Sequence, residues 1–142
     1  MKKKGSVCDY TSQRSEDLYD VYKTITDSTN YILLPDIAQQ CVRQKAPRFY
    51  VSEERAALVI AAMEKGKDIQ GMTESKQRMY REIHRRVRRI KKQRSGITHN
   101  DAVTIVVNQP APEFYITPGT AIVLLHRVRK ARRSRRTRSH SS

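Results

Sequence analysis

DIAQQCVRQKAPRFYVSEERAALVIAAMEK, residues Asp36–Lys65, recurs without a gap as DAVTIVVNQPAPEFYITPGTAIVLLHRVRK, residues Asp101–Lys130, so that one constant offset carries Asp36 onto Asp101 and Lys65 onto Lys130. Nine of the 30 positions are identical, among them Ala46/Ala111, Pro47/Pro112, Phe49/Phe114 and Tyr50/Tyr115. Others exchange like for like, as in Val51/Ile116, Ser52/Thr117, Leu58/Val123 and Ile60/Leu125. An internal repeat fixes how ambiguous segments are read. Residues 102–107, Ala-Val-Thr-Ile-Val-Val, suit a strand by propensity. Their counterparts at 37–42 carry Ile37, Ala38, Cys41 and Val42 at helical spacing, after a proline suited to a first turn. Both segments therefore read as helix.

Each unit becomes helix, extended link, helix. In the link A-P-x-F-Y-[V/I], proline biases its predecessor to extended geometry, and the aromatic and β-branched residues favour it too. Ser52 before Glu53 and Glu54, and Thr117 before Pro118, are N-cap signatures. Ala56, Val59, Ile60 and Met63, and likewise Ala121, Leu124, Leu125 and Val128, recur at i, i+3, i+4, i+7. If the links pair as short antiparallel strands, Arg48 and Glu113, which occupy equivalent places, meet across the pseudo-symmetry.

Two further helices complete the chain. One spans residues 15–28 with Leu18, Val21, Tyr22 and Ile25 on one face; the other runs from a cap at Thr73 to about Arg94, before Ser95 and Gly96. The expectation is an all-α fold: two tandem helix–link–helix repeats, at 36–65 and 101–130, bridged by a long basic helix. Residues 15–131 form one helical domain, between a flexible arm at 1–14 and a disordered basic tail at 132–142. A helix-turn-helix reading is weaker than a structural repeat. The links exceed the usual three- or four-residue turn, and the second helices carry core-like Ala, Val, Leu and Ile.

Charge narrows the function. The 142 residues hold 29 Lys and Arg against 14 Asp and Glu, a formal net charge of +15. Such an excess repels itself and is relieved by a polyanion. Residues 1–72 are nearly neutral, with 11 basic and 10 acidic residues, whereas 73–96 hold 10 basic and 2 acidic. In the central helix Met79, Ile83, Val87 and Ile90 form a narrow apolar stripe. Arg81, Arg85, Arg88 and Lys92 recur on the opposite side, flanked by Arg78, Arg89 and Lys91. Like charges at i, i+4 weaken an isolated helix by a few tenths of a kcal/mol per pair, and a phosphate backbone offsets that cost. The tail adds Arg132, Arg133, Arg135, Arg136 and Arg138. These twelve residues are the candidate contacts to nucleic acid, DNA in preference to RNA.

Other chemistries lack residues. Cys8 and Cys41 show neither metal-ligand nor disulfide spacing, and the four histidines form no zinc pattern with them. His84 beside Arg81, Arg85 and Arg88, with Tyr80 adjacent, loosely resembles a tyrosine-recombinase constellation, but one helical turn is too small a match. No phosphate loop, nucleophile elbow or compact carboxylate cluster is present, so the reading is a non-enzyme with no cofactor and no small-molecule substrate. A lipid-surface helix needs a bulky apolar face that no segment offers, and no apolar run approaches a membrane span. The expected location is the cytoplasm, with the nucleoid or a virion as variants; homo-oligomerisation stays open. The tyrosines and phenylalanines of the links suit core packing more than stacking on bases.

The strings FYVSEERA (Phe49–Ala56) and PAPEFYITPG (Pro110–Gly119) resemble small basic two-repeat proteins associated with gut anaerobic bacteria and their mobile elements or phages. The resemblance runs from about Asp17 to Lys130. It implies the two-repeat helical architecture and carries no activity or site residue. The functional expectation is a DNA-binding protein acting through phosphate contacts. Its rivals are an RNA-binding protein and a phage structural or packaging component.

Overall fold

The computed structural model describes residues 3–28 and 33–140, with side chains for 10–28 and 33–135. Six α-helices and no strand occur among the described residues: α1 (Lys3–Asp27), α2 (Leu34–Val42), α3 (Glu53–Glu64), α4 (Glu74–Gln93), α5 (His99–Val107) and α6 (Pro118–His140). The fold is all-helical, and the β-prone residues of α5 are helical like their counterparts in α2. The caps explain the boundaries. Ser52 Oγ accepts from Arg55 N at 3.1 Å, Thr73 Oγ1 from Lys76 N at 3.3 Å, and Thr98 Oγ1 from Asp101 N at 3.1 Å. Thr117 Oγ1 does the same for Thr120 N at 3.1 Å, ahead of Pro118. Each cap is worth about 1 kcal/mol. Gly66 and Gly96, at φ +86° and +92°, turn the chain after α3 and α4 in a region where a side chain would be strained.

The helices sort into two trios. In one, α1, α2 and α6 pack together; in the other, α3, α4 and α5; no helix of one trio brings a Cα within 8 Å of a helix of the other. Each trio therefore combines two helices of one half of the chain with the last helix of the other half. The links make this exchange. Ala46 and Ala111 form an antiparallel bridge, each N–H donating to the other's carbonyl at 2.9 and 2.8 Å. Phe49 N donates to Val107 O and Phe114 N to Val42 O, both at 3.1 Å. Phe49 stacks on Tyr115 and Tyr50 on Phe114, with ring centroids 6.0 and 5.9 Å apart. Every one of these contacts has its counterpart in the other half, at the offset of the sequence repeat.

The reciprocity reaches further back than the sequence alignment. Helices α1 and α4 occupy matching places, and Leu18 and Ile83, which the same offset superposes, are both fully buried. Around them the core gathers Ile37, Val42, Val59, Ile60, Val103, Val106, Leu124 and Leu125. Symmetry is broken at Tyr115, whose φ of +57° is left-handed, a conformation costing a non-glycine residue about 1 kcal/mol. Burial of its ring against Phe49 holds it there. Leu58 and Val123, matched and apolar, are 69% and 48% exposed; the like-for-like exchange at this position does not mark core.

Three expectations are corrected. The links do pair, but Arg48 and Glu113 do not meet. Arg48 donates to Phe49 O, Val51 O and Asn108 Oδ1 at 2.9, 3.2 and 3.2 Å, while Glu113 accepts from Arg78 at 2.9 Å. Helix α1 does not begin at Ser15. That hydroxyl donates back to Thr11 O at 3.2 Å within a helix already under way, so residues 3–14 are helical rather than a loose arm. Arg48 over the Tyr10 ring, 4.0 Å from its centroid, holds this early turn. Likewise residues 132–140 continue α6 instead of forming a separate tail. Arginine and alanine favour helix, and Arg132 ties the extension to α1 through Glu16 at 2.6 Å and through the Tyr19 ring at 4.3 Å. Ten residues, 43–52 and 108–117, separate α2 from α3 and α5 from α6, longer than a helix-turn-helix turn.

Candidate nucleic-acid interface

Helix α4 buries Met79, Tyr80, Ile83 and Val87 against α3 and α5. At 100° per residue this fixes the opposite face. Arg81, Arg85, Arg88 and Lys92 occupy it, all exposed, over about 16 Å of helix axis. A shallow open groove runs along them, its lining completed by His84, Arg89 and Lys91. The structure thus brings six of the seven α4 candidates together. Arg78 is drawn aside by its ion pair with Glu113.

The cations differ in how far neighbours neutralise them. Arg81 donates only to the amide of Gln77, at 2.9 Å, and Arg88, Arg89 and Lys92 have no ion pair among the described residues. Two carboxylates stand on this side of the helix: exposed Glu74 in the first turn, below the row, and Glu82, which serves two guanidiniums, Arg85 at 2.6 Å and Arg86 at 2.7 Å. Burial opposes its ionisation, but the hydrogen bonds from Arg85 and Arg86 outweigh that and hold its carboxyl below the ordinary range. Arg86 itself is structural. It also donates to Pro110 O at 2.9 Å and covers the Phe49 ring at 5.1 Å. Lys91 is held in an internal network, donating to Glu64 Oε1 and to His99 Nδ1, each at 2.9 Å. Because an ammonium only donates, His99 accepts at Nδ1 and its Nε2–H donates to Ala57 O at 3.0 Å. This chain clamps α3, α4 and α5. Glu64, which restrains Lys91, carried no sequence signal because it lies on α3 and only folding brings it there; Gln77 sits one turn before Arg81 on the same helix, an i, i+4 spacing legible in the sequence.

His84 sits at the edge of this face. Its Nε2 is buried without a hydrogen bond, 3.9 Å from Glu64. Burial, together with Arg88 and Lys91, pushes its pKa below the usual 6.5 despite the pull of Glu64. The folded state therefore prefers the neutral ring. Its contribution to stability is complete above about pH 6.5 and is lost as pH falls below that value toward the folded pKa. The thermal midpoint is expected to fall less between about pH 7.5 and 5.5 in His84→Gln than in the wild type. Equal falls would exclude His84 as the source.

The second basic group lies on α6. Arg133 and Arg135 are exposed, whereas Arg132 is committed to Glu16 and Tyr19. The side chains of Arg136 and Arg138 lie outside the described residues. Upstream on the same helix Arg127, Arg129 and Lys130 are also exposed. The aromatic residues of the links are interior: Phe49, Phe114 and Tyr115 are buried, and Tyr50 donates its hydroxyl to Asp17 at 2.6 Å. Burial pushes the Tyr115 phenol up to about 12. Among the described residues no helix is long and apolar enough to cross a membrane. Comparison with protein-family models, with curated proteins and with solved structures returns no match.

Proposed function

We propose that this chain binds nucleic acid, DNA in preference to RNA, chiefly by laying the outer face of α4 against a phosphate backbone. The observation carrying this reading is the row Arg81, Arg85, Arg88 and Lys92, exposed opposite the core with only two carboxylates on that side, Glu74 in the first turn and Glu82, which Arg85 shares with Arg86. A solvated helix surface normally mixes signs; this one concentrates repulsion that counterion release on phosphate would relieve. Burial of the link aromatics removes the stacking platform that single strands use, which supports a duplex. Contact through phosphates carries no base information, which suits an accessory or packaging role in the cell or on a mobile element.

The test is affinity for duplex DNA, single-stranded DNA and duplex RNA across a salt series. Duplex DNA is expected to bind best, with log affinity falling by about 3.6 or more per decade of salt, corresponding to four or more phosphates. A slope near zero would sink the proposal, and a preference for duplex RNA would transfer it to the RNA-binding reading.

A further inference from the structure

We infer that one chain carries two separate phosphate-binding surfaces and bridges two nucleic-acid segments; this rests on the reading of α4 above. The basic residues fall on helices that belong to different trios and have no Cα pair within 8 Å: α4 packs with α3 and α5, α6 with α1 and α2. Carboxylates border each surface. Helices α3 and α5, which flank α4, expose Glu54 and Asp101, and α1, beneath the end of α6, exposes Asp20 and Asp27.

The offset of the repeat shows how the second surface arises. The positions matching Arg81, Arg85, Arg88 and Lys92 on α1 are Glu16, Asp20, Lys23 and Asp27. The face that is cationic on α4 is thus mostly anionic on α1, and α1 cannot take a phosphate there. Instead it accepts the end of α6: Arg132 donates to Glu16 at 2.6 Å and lies over Tyr19. The matching helix α3 stops at Glu64, so the extension of α6 past Lys130 has no counterpart. Its effect is to cover an acidic helix with a cationic one. Around its exposed circumference stand Arg127, Arg129, Lys130 and Arg135. One half of the molecule carries its charge on its own first helix, and the other half receives it from α6.

The experiment is duplex capture. A biotinylated duplex on beads and a free fluorescent duplex are mixed with the full-length protein, with its mass in solution followed by sedimentation at the same concentration. The wild type is expected to retain the fluorescent duplex as a monomer, with retention rising and then falling as protein exceeds duplex. Changing Arg127, Arg129, Lys130 and Arg135 to Gln should reduce capture at least about tenfold while binding to a single duplex through α4 persists. Circular dichroism checks that helicity is retained. Undiminished capture by that variant, a wild type that binds duplex without capturing a second, or capture only by a dimer would each overturn the bridging inference and leave the α4 reading standing. A wild type that binds no duplex overturns both.

Discussion

Replacing Arg81, Arg85, Arg88 and Lys92 together by glutamine is expected to weaken duplex binding about a thousandfold at ~0.15 M salt, with the fold intact. Four phosphate contacts contribute about 3.6 to the salt slope, and relative to 1 M salt that amounts to about three decades of affinity at 0.15 M. The salt slope itself should fall by the same amount, a readout that general destabilisation would not produce. Little stability is at stake. All four side chains are exposed, the Arg85–Glu82 pair is an i,i+3 surface contact worth about 0.2–0.5 kcal/mol, and Glu82 keeps Arg86. Removing like charges along one face returns a similar amount. Should the variant bind like the wild type with an unchanged slope, α4 is ordinary solvated surface.

Phe49→Ala and Phe114→Ala are each expected to cost about 3–5 kcal/mol in urea unfolding, against a total of about 5–15 kcal/mol for a domain of this kind. Both rings are buried to within 2% exposure, and each stacks on the tyrosine of the opposite link. Each backbone also hydrogen-bonds the opposite unit, Phe49 to Val107 and Phe114 to Val42. Since no helix crosses between the trios, these two rings and the Ala46–Ala111 bridge form the seam of the molecule. Leu58→Ala is the control: at 69% exposure it should change stability by no more than about 0.5 kcal/mol. Losses below about 1 kcal/mol from either phenylalanine would mean that the seam is not where the halves are held.

The mixed fates of the basic residues show where sequence reasoning stops. Helical periodicity placed Arg81, Arg85, Arg88 and Lys92 opposite Met79, Ile83 and Val87, and the structure has them there. Periodicity along one helix could not reveal that Arg78 faces Glu113, Lys91 faces Glu64, or Arg132 faces Glu16. Those partners lie 35, 27 and 116 residues away along the chain. Charge near a carboxylate brought in by folding is already satisfied, so a count of arginines overstates the phosphate-binding surface.

The helices themselves were written locally: Ser52, Thr73 and Thr117 as caps, Gly66 and Gly96 as stops, and apolar residues at i, i+3, i+4, i+7 between them. The alignment of 36–65 with 101–130 likewise turned a strand-like segment into a helix. Local signals act over a turn or two, and a repeat is visible wherever identities survive. Membership of α1 in the pattern was hidden, because its match to α4 rests on buried apolar positions such as Leu18 and Ile83 while the surface has reversed its charge. The exchange of α3 and α6 between trios was hidden too. Equivalent helices present nearly equivalent apolar faces, so which trio each joins is decided by the crossing of the two links and their reciprocal hydrogen bonds, a choice made only when distant segments meet.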